Sequence, residues 1–272
     1  MHPVIFEIGR FKLHSYGLMV FLAFAFGVWL GTVRAKKVGI EPGKVIDLTM
    51  WILVSSLIGA RLTYVLTHLD EFGGRWIDVV NPFQSDGTIG IAGLVILGGV
   101  VLAVPVSWYY LKRQKIPFSK MADVMIPSLA FGIAIGRVGC LLNGCCFGLP
   151  TELPWGMVFP ETCYAGSVFH DQHIHPTQIY AIIANALIGV LLLLRTSHKR
   201  FEGELFWLFF LLYGPYRTVV ETVRYYRDGM ILFDIGIFDF TLSMLISILL
   251  TVFAFCMLVR GYRSAGSAVD KR

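Results

Sequence analysis

The chain has 272 residues, of which 56% are hydrophobic and only 15% are charged, whereas soluble domains carry about 25% charged residues. Its mean hydropathy is +0.69, and a soluble chain of this length has too small an interior to bury that much apolar surface. The net charge of +5 comes without a basic patch interleaved with stacking aromatic residues, so nucleic-acid binding is excluded. The composition predicts an integral membrane protein.

In chain order, residues 1–14 form a short arm whose apolar residues favour a position at the membrane interface. A window of about 20 residues, the length that crosses a hydrocarbon core of about 30 Å, then finds seven apolar segments. They are residues 15–33, 46–66, 89–110, 121–140, 178–194, 204–223 and 239–259. Arg137 closes the fourth segment, while Gly214 and Pro215 interrupt the sixth. We expect an all-α protein with about seven transmembrane helices in one polytopic domain, residues 1–272.

The basic residues predict which side of the membrane each loop occupies. They cluster after the first, third, fifth and seventh segments, within residues 34–44, 112–120, 195–200 and 260–272. The loops 67–88 and 141–177 are acidic and contain one arginine, Arg75. Because cytoplasmic loops collect Lys and Arg, we expect the amino end outside, in the periplasm, and the carboxyl end in the cytoplasm. Residues 141–177 then form a long outer-side loop.

Four further arginines fall near the outer ends of the segments: Arg61, Arg137, Arg217 and Arg224. A charge at the centre of a membrane helix costs at least about 2.5 kcal/mol, so such residues usually line a cavity. A single arginine can instead extend to the headgroups. Four on one leaflet favour a binding site, and the arginine fork matches the oxygens of a phosphate. Glu221 follows Arg217 on the same helical face and either holds that arginine or binds a headgroup hydroxyl.

Residues 136–148 read GRVGCLLNGCCFG, which places an arginine, an asparagine and three cysteines at the end of an apolar segment. The glycines allow a turn or a close approach to a ligand, and irregular backbone is tolerated in a membrane only where protein or water covers it. Close helix packing accounts for Gly136 and Gly139, but it does not account for Arg137 and Asn143. We therefore expect this stretch to form the wall of a pocket for an anionic phospholipid.

Five motifs together resemble the prolipoprotein diacylglyceryl transferase family. They are SYGLM (15–19), GARLTYV (59–65), GRVG…NG…G (136–148), HPTQIY (175–180) and YGPYRTVVETVR (213–224). The resemblance spans nearly the whole chain and is most specific in the third and fifth motifs. It implies a multi-pass protein of the bacterial inner membrane that moves the diacylglyceryl group of phosphatidylglycerol to the lipobox cysteine of prolipoprotein signal peptides, releasing glycerol phosphate. No cofactor is implied.

The resemblance also implies roles for individual residues. Arg137 and Arg217 match the phosphate-binding arginines of the family, and Tyr16 matches its tyrosine in the first span. Other matches to family motif positions are Arg61, Asn143, Gly148, Glu221, Arg224 and His175. We expect the first five of these, together with His14, to bind the phospholipid. Thiols with a pKa of about 8.5 are mostly protonated at neutral pH, and arginines can both favour a thiolate and stabilise a departing phosphate.

Three departures from the family pattern bear on the chemistry. Leu97 stands where the family usually has a histidine in an FHGG-like segment, and leucine cannot move a proton. Cys140 and Cys145 stand where other members have asparagine and glutamate, and FTLSMLIS replaces a polar opening of the last span. The chain thus resembles a variant branch with a GCC motif. His14 or His175 is then the candidate base, with an arginine field and no dedicated base as the alternative.

Four cysteines lie on the predicted outer side: Cys140, Cys145, Cys146 and Cys163. In that oxidising compartment they are candidates for a disulfide or redox pair. Three nearby histidines, His170, His173 and His175, also permit zinc or copper binding, but the spacing C-x4-C-C is no standard ligand signature. We therefore assign no metal site and treat packing or a disulfide as the default. Cys256, in the last segment, is interpreted as a buried apolar filler.

Three other functions remain open. The first is a related protein of the same fold that moves a lipid-derived group to a different acceptor or only binds lipid. Leu97 is the residue that favours this alternative. A membrane redox or metal protein built on the Cys/His cluster would leave Arg137, Arg217 and Glu221 without a role. A transporter is disfavoured because the sequence shows no internal repeat and no chain of charges across the membrane.

Overall fold

The computed structural model describes residues 1, 3–8, 11–69, 95–226, 231–234 and 239–269. The structure is mainly helical with two small β-hairpins. The helices are α1 (Ser15–Lys37), α2 (Pro42–Thr67), α3 (Ile96–Arg113), α4 (Phe118–Asn143), α5 (Tyr164–Val168), α6 (Thr177–Arg195), α7 (Glu204–Thr222) and α8 (Leu242–Val269). The strands are β1 (Val4–Ile8), β2 (Phe11–His14), β3 (Ile231–Asp234) and β4 (Asp239–Thr241).

Within the described ranges, five helical stretches are long and apolar enough to cross a membrane. They are Ser15–Lys37, Pro42–Thr67, Phe118–Asn143, Thr177–His198 and Leu242–Ser267. The helices α3 and α7 also lie at predicted segments, with 18 and 19 residues. Many large apolar side chains on the helices are exposed, among them Phe21, Trp51 and Leu194, as expected of surfaces that face lipid.

Two details of the helices differ from the sequence predictions. α4 continues for a turn and a half beyond Arg137 to Asn143, and α7 remains helical through Gly214 and Pro215. Gly214 lets α8 approach closely, because an added Cβ would collide with the side chain of Thr251. The packing of neighbouring helices thus compensates for the local interruption. Cys256 is exposed on α8, so its interpretation as a buried filler was wrong.

The two hairpins were not predicted from the sequence. β1 and β2 pair antiparallel within the predicted interfacial arm, with Glu7 opposite Lys12. β3 and β4 pair antiparallel just before α8, with Asp234 opposite Asp239. Most of the predicted loop 67–88 and the start of the predicted third segment lie outside the described residues. That the arm lies at the membrane interface stays a prediction.

The backbone forms two compact units, residues 1–31 with 122–272 and residues 32–121. In the second unit, α2 and α3 approach closely at glycines, because a Cβ on Gly59 would collide with the carbonyl of Gly98. In the first unit, α4, α6 and α7 share an apolar core, whose buried members are Ile126, Ala130, Ile188, Leu192, Leu205 and Phe209.

A buried carboxylate fixes the start of α7 against α4. Asp123, 2% exposed, accepts hydrogen bonds from the backbone N–H groups of Gly203 (2.9 Å) and Phe206 (3.1 Å) and from Lys199 Nζ (3.1 Å). The first N–H groups of a helix lack partners in the helix itself and favour negative charge. Asp123 therefore orients α7, the helix that carries Arg217 and Glu221.

Candidate active site

The GRVGCLLNGCCFG stretch folds as the last turns of α4 followed by a tight turn. Gly144 has a left-handed φ of 67°, the Gly144 N–H donates to Leu141 O (3.2 Å), and the Cys145 N–H donates to Cys140 O (3.1 Å). These two bonds form a Schellman motif, in which glycine is favoured because it adopts positive φ without strain. A Cβ on Gly144 would also lie 2.5 Å from Cys163 Sγ. Regular helix therefore ends at Asn143, within the stretch whose glycines were expected to allow a turn.

The chain after this turn pairs with two distant segments. The Gly148 N–H donates to His175 O (3.0 Å) and the His175 N–H to Leu149 O (2.9 Å) on one side. On the other side the Leu149 N–H donates to Val223 O (2.8 Å) and the Tyr225 N–H to Phe147 O (3.1 Å). A Cβ on Gly148 would lie 2.5 Å from both His175 Cβ and Val223 O. We call this backbone pairing the central ladder. It positions Arg224 beside residues 144–146, which we call the GCC turn.

Arg217 and Glu221 form a buried ion pair on α7. Arg217 Nη1 lies 2.7 Å from Glu221 Oε2, and the Glu221 side chain is fully buried. Arg217 Nη2 also donates to Ser243 Oγ (3.0 Å) and Tyr226 Oη (3.3 Å). Glu221 Oε1 accepts hydrogen bonds from Thr241 Oγ1 (2.8 Å) and from Tyr226. Because a buried carboxylate needs such partners, this network fixes the position of the Arg217 guanidinium.

Arg137, Arg217 and Arg224 all lie within electrostatic range of Tyr216. The Tyr216 hydroxyl lies close enough to all three to interact with their charges. In the part of the chain that the structure describes, no carboxylate forms an ion pair with Arg137 or Arg224. Arg224 instead stacks over the Tyr226 ring at 5.2 Å. Two cations without acidic partners, next to a third held by Glu221, make a site suited to a phosphate group.

Tyr216 and Tyr226 are site residues that sequence reasoning missed. Tyr216 precedes Arg217 within the YGPYR motif, so its motif position was the available signal. Tyr226 lies after α7, and no pattern in the sequence links it to Glu221. Burial raises the pKa of Tyr226, and its hydrogen bond to Glu221 raises it further although the charge of Arg224 opposes the shift. The phenol therefore stays protonated and donates to the carboxylate.

Three of the four outer-side cysteines come together at the GCC turn. The sulfur atoms of Cys140, Cys145 and Cys146 all lie within 4.8 Å of one another. All are free thiols, as is Cys163, which packs against Gly144. Hydrogen bonds from Cys140 and Cys145 lower the pKa of the Cys146 thiol, and the charges of Arg224 and Arg137 lower it further. A disulfide among these cysteines stays a prediction.

Two side chains at the start of α6 donate hydrogen bonds to the backbone of the GCC turn. Thr177 Oγ1 donates to Cys146 O (2.6 Å) and Gln178 Nε2 donates to Cys145 O (2.8 Å). Both side chains belong to the HPTQIY motif and are buried. Cys146 itself has a φ of 61°, which is uncommon for a residue other than glycine. These bonds compensate for the strain of that conformation.

Two of the remaining predicted site residues of this unit, Tyr16 and Asn143, lie beside the same turn. Tyr16 packs against α4, with its Cδ2 atom 3.3 Å from where a Cβ on Gly139 would lie, and it is within electrostatic range of Arg137 and the three clustered thiols. The side chain of Asn143 lies close enough to the Cys145 thiol to act on its pKa, which it lowers. His14 is exposed at the end of β2, directly before α1.

His175 lies on the central ladder and contacts a tyrosine. Its Nδ1 atom is 3.2 Å from Tyr180 Oη, and that hydroxyl also accepts a hydrogen bond from Trp155 Nε1 (2.8 Å). Burial lowers the pKa of His175, so the neutral imidazole is favoured and can accept a proton. A nearby groove of about 650 Å³ is lined by residues 150–154 and 171–173 and contains none of the arginines.

Arg61 and Leu97 belong to the other compact unit, residues 32–121. Arg61 is buried on α2, with its guanidinium 5.8 Å from the Tyr64 ring centre. Leu97 is 56% exposed near the start of α3. The structure therefore brings together Arg137, Arg217 and Arg224, and the convergence of Arg61 with them stays a prediction.

Comparison with known proteins matches the chain to one family. The family model for prolipoprotein diacylglyceryl transferase covers residues 3–260. Similar proteins include the phosphatidylglycerol–prolipoprotein diacylglyceryl transferase of Clostridium tetani, 32% identical over 82% of this chain and 86% of that protein. Those of Bifidobacterium longum strain DJO10A (31% over 84% and 75%) and Thermosynechococcus vestitus (33% over 80% and 80%) are also similar.

Proposed function

Because the chain belongs to the prolipoprotein diacylglyceryl transferase family, we propose that it moves the diacylglyceryl group of phosphatidylglycerol to the lipobox cysteine of prolipoproteins. In this reaction the acceptor sulfur attacks the glyceryl carbon that carries the phosphate. The S–C bond forms as the C–O bond breaks, the electron pair stays on the phosphate oxygen, and glycerol phosphate leaves. The thiol proton goes to solvent or to a base.

The observation that carries this proposal is that three arginines lie within electrostatic range of one residue, Tyr216. Arg137 and Arg224 bind the phosphate of phosphatidylglycerol and stabilise the charge that develops on the leaving group. Arg217 donates two of its five N–H groups to Tyr226 and Ser243 and forms an ion pair with Glu221. The others reach the same phosphate, while Glu221 acts mainly to hold Arg217.

The proposed site lies at the outer leaflet of the inner membrane. Seven helices cross the bilayer with the amino end outside, and the loop 141–177 faces the periplasm, where the prolipoprotein presents its lipobox. Support for this orientation comes from the basic residues at 34–44, 112–120, 195–200 and 260–272. Tyr16 and Asn143 border the donor site, and His175 is the candidate base on the acceptor side.

The function is tested with purified protein, phosphatidylglycerol vesicles and a peptide carrying a lipobox cysteine. Mass spectrometry follows the thioether-linked diacylglyceryl peptide, and a peptide with serine at that position is the negative control. Replacing Arg137→Ala should lower the rate about 100-fold or more, the effect of losing one donor to a developing anion. Arg263→Ala, at an exposed arginine of α8, is the matched control and should keep the wild-type rate.

Two results would overturn the proposal. One is that folded wild-type protein forms no thioether product although it binds phosphatidylglycerol, which would favour a different acceptor. The other is that Arg137→Ala and Arg263→Ala retain equal rates, because the arginine cluster would then have no part in the reaction.

A further inference from the structure

The three clustered thiols have the spacing of a metal site. Their sulfur atoms lie within 4.8 Å of one another. Three thiolates around one Zn²⁺ ion, each at about 2.3 Å from the metal, are separated by roughly 3.8 Å. The cluster therefore needs only a small contraction to surround an ion. Thiolates select soft or borderline cations, of which Zn²⁺ does not change its oxidation state.

The backbone holds these thiols in place without any ion. Cys140 is fixed by α4, and the Schellman turn brings Cys145 and Cys146 back towards it. The buried side chains of Thr177 and Gln178 hold the carbonyl groups of Cys146 and Cys145. A ligand set fixed in this way binds a metal without a further loss of chain entropy.

Charge also favours an ion at this position. Cys146 interacts electrostatically with Arg224 and Arg137, and Arg137 also interacts with Cys140. A Zn²⁺ ion with three thiolates carries a net charge of −1, and a fourth thiolate makes it −2. The two arginines offset that charge. A disulfide would use only two of the three thiols, and the third would remain beside it.

We propose that Cys140, Cys145 and Cys146 bind a Zn²⁺ ion as three thiolates and that the fourth position of the ion takes the acceptor cysteine of the lipobox peptide. The acceptor role rests on the proposed function. Catalytic zinc sites keep one position open beside three protein ligands, and a thiol that coordinates such an ion loses its proton. Coordination thus takes the place of a base, a role that Leu97 cannot fill and for which His175 was the candidate.

The step balances without a further reactant. The acceptor S–H proton leaves to solvent as its sulfur coordinates the ion. That sulfur then attacks the glyceryl carbon, the S–C bond forms, and the C–O bond to phosphate breaks. The neutral thioether is a weaker ligand than a thiolate, so the product leaves and the fourth position reopens.

Metal binding is tested first. Reduced protein in detergent is equilibrated with Zn²⁺ and dialysed, and the zinc bound per chain is measured by mass spectrometry. We expect about one ion per chain in the wild type and in Cys256→Ser, whose cysteine is exposed on α8. Cys146→Ser and Cys145→Ser, made separately and checked by size-exclusion chromatography, should lose it. Equal zinc in all four proteins, none in the wild type, or a disulfide among the three thiols in its place would overturn the site.

Acceptor binding is tested with Co²⁺ in place of Zn²⁺. The cysteine peptide should strengthen the thiolate-to-cobalt absorption, and the serine peptide should not. Equal spectra with both peptides would overturn the acceptor role. Full diacylglyceryl transfer by a metal-free Cys146→Ser variant would overturn this inference and leave the proposed function intact. If the cysteine peptide binds the metal but no diacylglyceryl transfer follows, only the proposed function would be overturned.

Discussion

At the residue scale, substitution is most restricted at glycines where distant segments of the chain are in contact. Gly144 supplies the left-handed turn after α4, and Gly148 lies between His175 and Val223. The sequence indicated that glycines in this stretch serve a turn or a close approach. It did not show which segments approach, because residues 175 and 223 are far from Gly148 along the chain.

Replacing Gly148→Ala should destabilise the protein. The added Cβ would lie 2.5 Å from both His175 Cβ and Val223 O, and overpacking of this kind costs about 1–3 kcal/mol. Thermal unfolding in detergent measures the effect. Gly136→Ala is the matched control: no atom of the described residues lies within 4 Å of a Cβ there, so its stability should be unchanged or slightly higher. Equal unfolding temperatures for both variants would contradict the central ladder.

At the element scale, the start of α7 depends on a carboxylate from another helix. Asp123 of α4 precedes its partner Phe206 by more than 80 residues, and nothing in the apolar pattern links them. The existence of the long helices was predictable because each needs a run of apolar residues. The ends of these helices were not predictable. Helix α1 continues through Arg34, Lys36 and Lys37, because backbone hydrogen bonding continues where the hydropathy signal stops.

Replacing Asp123→Ala should destabilise the protein by about 2 kcal/mol or more, because it removes a helix cap together with a charged hydrogen-bond partner. The backbone N–H groups of Gly203 and Phe206 and the ammonium of Lys199 lose their acceptor. Thermal unfolding in detergent again provides the measurement, with Glu152→Ala in the exposed outer loop as control. An unfolding temperature as high as that of the control would show that α7 does not depend on this cap.

At the scale of the whole molecule, the sequence predicted a helical membrane protein and three of the arginines that meet. It did not predict that Ser243 and Tyr226 hold Arg217, because both lie beyond α7, on either side of an unpredicted hairpin. Nor did the spacing C-x4-C-C reveal that three sulfurs converge. That convergence depends on the Schellman turn, whose geometry follows from hydrogen bonds rather than from spacing.

The distribution of basic residues predicts an orientation across the membrane. The pattern predicts a cytoplasmic carboxyl end, so we expect a green fluorescent protein fused to that end to fluoresce. Alkaline phosphatase, which folds only outside, should be inactive when fused there and active when inserted after Leu153 in the outer loop. The same two reporters with the opposite activities would contradict the predicted orientation.

The hairpin-like excursion at residues 151–156 is closed at its base by the Thr151 N–H bond to His173 O and the Met157 N–H bond to Ile174 O, while Glu152, Leu153 and Pro154 at its tip are exposed. Substitutions and short insertions at this tip leave the backbone that positions Arg224 intact. Lineages can therefore diverge there, and reshape the groove beside it, while inheriting the same arginine cluster. Sequence differences among relatives should therefore be more frequent at the tip than along the central ladder.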